Sequence, residues 1–449
     1  MSNEALNIQE RIHEAIKAEG KKAFDTFLEG VHAADIAEVL DDLDRDVVLA
    51  FLDRLDHELE ADVLVEMDED VRSRLLTFYT PKEIAEELVE NMDSDDAADL
   101  LQELAPEVTQ EVLSQVDDVE HSKNIAQLLT HEEDTAGALM ATEMIKVNEN
   151  WTVLRCVAAM RQQAEEVDKV HAVYVVDDDD LLLGTLSLKK LLTTSTRSYI
   201  KDVFNQNVKS VLSTTPAEEV ANIMQKYDLF VIPVTTAAGQ LLGKITLDDV
   251  VDFIREEAER DYQLASGLAD EVESSDTILE VTRARIPWLL IGLLGGLIVA
   301  LIINNNESDL LSVPALAYFM PLIAAMAGNV GVQSSAIVVQ ALAGDRNEGM
   351  MLQKLSKELL VGLVNGTILA VVMVGAGAAL GYENSITMTV SIALLVVIIF
   401  ASLFGTFVPL MLNRFKIDPA LATGPFITTA NDVIGLIIYF QIGRIIIGY

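Results

Sequence analysis

The chain has one cysteine, Cys156, in 449 residues, which argues against a disulfide framework or a thiolate metal cluster. Its six histidines (His13, His32, His57, His121, His131 and His171) never recur at HxxxH or HxH spacing, so a zinc enzyme is not expected. Basic residues are scarce: 31 Lys and Arg stand against 71 Asp and Glu, a formal net charge of −40. A surface this acidic argues against nucleic acid and against docking on anionic lipid, and suits a cationic partner, either another protein or a divalent metal. The same excess of acid is also what a generally acidic proteome would give. There is no Walker motif, no nucleophile–base pair and no enzymatic metal-ligand set, so an enzyme is not expected. The first residues are charged and hold no apolar h-region, so no cleaved signal peptide is expected.

What is abundant is apolar sequence in the second part. Residues 285–449 hold seven Lys/Arg and eight Asp/Glu, leaving 24 basic and 63 acidic residues, a net −39, in residues 1–284. A soluble polyanion is thus followed by a membrane protein. Runs long enough to cross a bilayer occur near 286–303, 315–342, 359–380, 387–412 and 424–447. Arg283 and Arg285 precede the first run, and Asn304 to Asp309 follow it without a basic residue. The next loop carries Arg346, Lys354 and Lys357; the one at Gly381-Tyr382-Glu383-Asn384 carries none; the fourth carries Arg414 and Lys416. By the positive-inside rule this alternation predicts a cytoplasmic amino terminus and an outside carboxyl terminus, in a multi-pass protein of the cytoplasmic (inner) membrane. Gly292/Gly296 and Gly362/Gly366 form GxxxG pairs suited to close helix packing.

The last run contains a lone carboxylate, Asp432. A charge near mid-bilayer costs at least a few kcal/mol, and such groups usually face a pore or a partner. Helical spacing sets Gly424, Pro425, Thr428 and Gly435 on roughly its side. Two readings stand: a protonated acid that holds helices together, or a cation site on a permeation path. The second run holds Asn329 and Gln333, four apart and so on one face, with Gly328 and Gly331 thinning the helix there. These amides either pair with other helices or line water.

Residues 1–135 read as helices, with a weak 24-residue repeat at Ala37–Leu40, Ala61–Leu64 and Ala85–Leu88, and a similar unit at Asp96–Leu101. Short helices stacked as a superhelix fit this better than a closed bundle. Residues 138–255 alternate helices and strands and also repeat. Val173-Tyr174-Val175-Val176 with Leu183-Gly184-Thr185 matches Val231-Ile232-Pro233-Val234 with Leu242-Gly243-Lys244, offset by 59 at the glycines. Each unit is expected to hold a helix, two strands joined by a short turn, and another helix. This resembles a tandem CBS pair, which implies an adenine-nucleotide cleft between two modules. The family's Thr-x-x-Asp is matched by Thr246 and Asp249; the first module departs from it with Ser187 and Lys190. Tyr174 and Phe230 are then the aromatics available to stack on a base. An interaction module that binds no nucleotide remains the alternative. Beyond it, Asp249, Asp252, Glu256 and Glu259 form an acidic stripe on a helix expected to run on, over 256–282, into the first span. Carboxylates crowded at such a boundary repel unless a divalent ion bridges them.

The order of acidic helical domain (1–135), CBS modules (136–200 and 201–255), connecting helix (256–282) and five-span domain (283–449) resembles the MgtE magnesium channel family. So do three separated motifs: Glu132-Glu133-Asp134-Thr135-Ala136-Gly137-Ala138-Leu139-Met140, the segment from Pro321 to Gln333, and the segment around Asp432. The resemblance implies a homodimer in the lipid bilayer with one pore on its twofold axis. There paired Asp432 carboxylates would hold hydrated Mg2+, with Gly424 and Thr428 contributing backbone oxygens and Asn329 and Gln333 nearby. It further implies closure by intracellular Mg2+ at Asp93, Asp95, Glu218, Asp228, Asp249, Asp252, Glu257, Asp261 and Asp418, with Arg260 standing where the family often has an acid. ATP at the CBS pair stays open. A membrane-anchored nucleotide or divalent-ion sensor without transport is the competing function, although it has no use for Asp432, Asn329 or Gln333 at membrane depth.

Overall fold

A computed structural model describes the chain except residues 1–2, 19, 164–166, 168, 270–271, 273–276, 344–350, 423 and 449. The chain divides into two compact units, Met1–Arg255 and Glu256–Tyr449.

The first unit begins with short helices from Asn3–Lys17 to Val119–Leu128. Their starts are set by side chains that satisfy orphan N–H groups. Asp56 accepts from Leu59 N, Asp118 accepts from Glu120 N and His121 N, and Thr80 and Glu83 form a reciprocal capping box. The 24-residue repeat is the core itself: Ala37, Leu40, Ala61, Leu64, Ala85 and Leu88 are all buried. The third repeat differs locally. It runs as an α turn (Pro81–Glu83), a wide π turn (Ile84–Leu88) and a tight 3-10 turn (Val89–Asn91).

Two three-stranded sheets follow, of identical topology. In the first, β1 (Ile145–Asn148) pairs parallel with β2 (Val173–Val176), which pairs antiparallel with β3 (Leu182–Leu186). In the second, β4 (Val211–Leu212) pairs parallel with β5 (Val231–Thr235), which pairs antiparallel with β6 (Leu241–Thr246). Each module thus has one strand more than the two expected. The added strands β1 and β4 join through helical crossovers, so no turn signature announces them. Both repeated glycines are demanded by close approach. A Cβ on Gly243 would lie 2.6 Å from the Ala141 carbonyl oxygen, and one on Gly184 would collide with the Asn205 carbonyl. The second module shares one continuous core with the helical region, while the first closes around its own, including Cys156. Burial pushes the Cys156 thiol up to about 11, so this cysteine is packing material rather than a nucleophile.

The helix leaving β6 runs Leu247–Ser266. The continuous helix expected over 256–282 does not form. It stops in a Schellman turn: Gly267 has φ +86°, its N–H bonds to Leu264 O, and Leu268 N bonds to Gln263 O. The Gln263 side chain then clasps the Val272 backbone through two hydrogen bonds of 2.9 and 2.8 Å. Of residues 268–277, 270–271 and 273–276 lie outside the described set. A new helix starts at Ile278 behind the Thr277/Glu280 capping box and continues to Asn305 as the first span.

Among the described residues, five helices are long and apolar enough to cross a membrane: Ile278–Asn305, Pro314–Leu342, Met351–Leu380, Asn384–Arg414 and Gly424–Ile447. The expected runs all fall inside them; Arg346, used to orient the chain, lies outside the described residues. The fourth span is central, packing against the second, third and fifth, and 61% of its apolar window is buried against 6% for the first. Gly362 and Gly366 bring the third span onto Ser402 and Leu395 of the fourth, whereas a Cβ on Gly292 or Gly296 would meet nothing within 4 Å among the described residues. Pro321 and Pro425 occupy first helical turns, where no backbone donor is missed; Pro409 lies inside its helix. At the far end of the fifth span, Arg444 bonds Asp309 and Asn306, each at 2.8 Å, tying it to the loop that follows the first span.

Candidate functional site

The fifth span lays Thr428 and Asp432 against Gly328 of the second span. A Cβ on Gly328 would stand 3.5 Å from Thr428 Cγ2 and 3.6 Å from Asp432 Oδ1. The absent side chain therefore leaves the carboxylate room beside the second helix. Thr428 is turned back on its own helix, donating to the carbonyls of Pro425 (3.0 Å) and Gly424 (3.3 Å). Gly424 is required for another reason: a Cβ there would strike the Ala265 carbonyl oxygen at the end of the helix Leu247–Ser266. Asp432 is half-buried, and Asn329 and Gln333 are exposed. The three polar positions thus lie on a surface that the chain's own helices do not fully cover. Two features escaped the sequence reading. Asn431 is fully buried, and its amide occupies the space of the missing Gly331 Cβ. Glu358 of the third span accepts a 2.6 Å hydrogen bond from Ser334 of the second. An isolated amide, and a Ser–Glu pair 24 residues apart, carry no local signature.

A different chemistry occupies the first unit. Oxygens of Asp93, Asp95 and Glu143 come within 4.8 Å of one another. Burial first, and then Asp96, Asp249, Asp93 and Glu143, hold the Asp95 carboxyl well above the usual range. Burial followed by Asp93, Asp249 and Asp99 pushes Asp96 up to about 7. Asp95 Oδ1 is buried with no hydrogen-bond partner among the described residues. Of the expected set, then, Asp93, Asp95 and Asp249 are brought together, and the structure adds Asp96 and Glu143. Asp252 is raised by burial and by Asp249 beside it. In the second unit Asp261 is raised by burial and then by Asp418, which caps the turn Pro419–Ala422 by accepting from Ala420 N at 2.7 Å. Glu218 opens the helix Ala217–Tyr227 and Asp228 closes it in a left-handed conformation, roughly 15 Å apart at 1.5 Å per residue. Glu257 instead pairs with Arg260 at 3.1 Å, so the cation standing in the family's acidic position is matched within its own helix.

Between the two modules, a small cleft is lined by Tyr174, Lys169, His171, Lys244 and Glu143. Tyr174 is buried with its hydroxyl unpartnered among the described residues, while Phe230 is fully available on the surface. Ser187 caps the helix Leu188–Thr193, accepting from Lys190 N at 3.2 Å. Thr246 donates to Asp249 Oδ2 at 2.6 Å. Asp249 therefore belongs to the Thr-x-x-Asp motif and to the acidic cluster at once.

The family model described as "MgtE: Divalent cation transporter" matches residues 320–442, that of the MgtE intracellular N domain matches 31–134, and that of the CBS domain matches 136–196 and 200–256. A protein of Thermus thermophilus named magnesium transporter MgtE is 32% identical over 428 residues, covering 92% of this chain and 95% of its own. The chain belongs to the MgtE family. An MgtE of Enterococcus faecalis, also named a magnesium transporter, is 32% identical over 85% of this chain and 90% of its own. Two solved structures match the first part of the chain. One, the soluble part of a magnesium transporter, has a TM-score of 0.52 at 29% identity, covering 57% of this chain and 99% of that one. The other, the cytosolic domain of the Mg2+ channel MgtE in complex with ATP, has a TM-score of 0.50 at 30% identity, covering 56% and 99%. The helical N-terminal domain, CBS pair and five spans are thus the MgtE architecture, and membership sets the chain among transporters rather than enzymes.

Proposed function

We propose that this MgtE-family chain is a Mg2+-selective channel for uptake across the cytoplasmic membrane, working as a homodimer with its amino terminus inside and carboxyl terminus outside. The observation that carries the reading is the half-buried Asp432 packed beside Gly328, with Asn329 and Gln333 exposed on the same helix as that glycine. Mg2+ keeps most of its waters and usually takes one or two carboxylates. A twofold axis supplies two copies of Asp432, a charge of −2 against +2. Amides at Asn329 and Gln333, and carbonyls at Gly424 and Thr428, then meet the ordered waters.

Regulation is proposed at the acidic clusters. The crowded all-oxygen set of Asp93, Asp95, Asp96, Glu143 and Asp249, with the orphaned Asp95 Oδ1, fits a hard divalent ion such as Mg2+. Asp252, Asp261 beside Asp418, Glu218 and Asp228 are the further carboxylates of the proposed regulatory set. Bound Mg2+ neutralises these groups and favours the closed pore. Each site is weak, but several acting on one two-state element give a steep response. ATP is proposed as a modulator at the CBS pair, with exposed Phe230 as the stacking face and the Thr246–Asp249 pair as the phosphate and ribose contacts.

The test is Mg2+ uptake into liposomes holding the purified protein, against empty liposomes, at low internal Mg2+. Protein-dependent uptake supports the channel. Its absence from a correctly inserted protein that still binds Mg2+ favours a sensor without transport.

A further inference from the structure

The helical region contains a metal-ligand set of another kind. His57 and Glu60 lie one turn apart on the helix His57–Val65, and Glu87 projects from the π turn Ile84–Leu88. Such wide turns are rare and concentrate at functional sites. Here the π turn is framed by α and 3-10 turns. One ligand atom from each of the three residues lies within 4.8 Å of the other two. Glu60 is only 4% exposed. Its Oε1 accepts a 2.8 Å hydrogen bond from the Tyr79 hydroxyl. Its Oε2 faces His57 Nδ1 at 3.7 Å. A buried carboxylate with one oxygen fixed by a tyrosine and the other beside an imidazole and a second carboxylate brings three donor groups of metal-ligand type together. Burial, and also Glu87, hold its carboxyl above the ordinary range.

We propose that His57, Glu60 and Glu87 bind a divalent transition metal, with Tyr79 as the positioning residue that orients Glu60. The donor set chooses the class of ion. Mg2+ takes oxygen ligands and keeps its waters, whereas an imidazole nitrogen with two carboxylates suits Zn2+, Mn2+ or Co2+. Three protein ligands leave the remaining positions to water, and exposed His57 with partly exposed Glu87 gives the ion a way in. Tyr79 supplies the outer hydrogen bond that ligating carboxylates ordinarily have. A bound ion would link two repeat units, the Ala61–Leu64 helix and the Ala85–Leu88 turn. The site is separate from the oxygen-only cluster at Asp93 and Asp95, and it does not rest on the transport reading.

The experiment titrates the full-length protein in detergent, in millimolar excess Mg2+ that fills the oxygen sites. Co2+ is followed by its visible d–d absorption and Zn2+ by calorimetry. One competing-resistant equivalent per chain is expected, weakened by roughly tenfold or more in H57A and in E87Q, and by a smaller factor in Y79F. His57 is 58% exposed at its side chain, so H57A is expected to keep the metal-free melting curve, and folding does not confuse the result. No Co2+ band in excess Mg2+, or a band and stoichiometry unchanged in both H57A and E87Q, overturns the proposal.

Discussion

The two kinds of carboxylate environment in this chain are opposites. Asp432 is the only acid in its span and sits with Thr428 and a glycine. Asp95 is packed among Asp93, Asp96, Glu143 and Asp249, acids that all push its carboxyl upward. On the proposed reading, a single charge on an incompletely covered helical face would hold a hydrated ion loosely enough for it to leave. A crowd of acids raises the cost of being empty, so occupancy changes the stability of the boundary it lies on. The contrast is what the proposal assigns to passage on one side and sensing on the other.

The largest effect should come from breaking the solitary side. Asp432→Asn keeps volume and removes charge, and a site that must repay part of the dehydration of a divalent ion loses a few kcal/mol, so Mg2+ flux should fall by roughly 100-fold. Liposome uptake measures this, and gel filtration should show an unchanged oligomer. Next comes the crowd. Asp95 and Asp96 are raised above the model-peptide value of 3.8, Asp96 to about 7. Between those values the folded state holds more protons than the unfolded one, so folded stability is full below about 4 and is lost as pH rises towards 7. In chelator, limited proteolysis near residues 130–140 should therefore speed up over that rise, and Mg2+ or Asp95→Asn should flatten the trend. A cleavage rate indifferent to pH, Mg2+ and this substitution would count against the cluster as a sensor.

A smaller effect concerns packing behind the lone acid. Gly331→Ala puts a methyl where the Asn431 amide lies and should destabilise the membrane unit by about 1–3 kcal/mol. Thermal unfolding in detergent reads this, and adding Asn431→Ala should restore part of the loss. The smallest is Asn329→Ala. Its side chain is exposed, so Mg2+ selectivity over Ca2+ should drop several-fold with little change in melting. An unstable protein of unchanged selectivity would instead assign Asn329 to helix packing.

Much of this was readable in advance, for reasons that differ by region. The spans and Asp432 stand out because bilayer length and charge are coarse, local signals. The 24-residue repeat was readable because its alanines and leucines are the core. The break at Gly267 was not, since one glycine seldom announces a Schellman turn. Strands β1 and β4 are short and pair across a helix, so neither turn residues nor length betrays them. Asp96 and Glu143 join Asp95 only because the helical region and the second CBS module share a core. His57 and Glu60 do have a local HxxE spacing, but a screen limited to paired histidines passes over it. Glu87 completes the set from a distant π turn. For the added strands, for Asp96 and Glu143, and for Glu87 the missing information was a contact between segments, not a property of either segment.

The most direct test of the account is Mg2+ flux through reconstituted protein as a function of internal Mg2+, comparing the parent chain, Asp432→Asn and a chain lacking residues 1–130. The account predicts three curves: a parent that conducts at low internal Mg2+ and shuts steeply as it reaches millimolar levels, a truncated form that conducts but closes less readily, and an Asp432→Asn form near zero throughout. An Asp432→Asn protein that conducts like the parent, or a truncated one that closes at the same internal Mg2+, would contradict it.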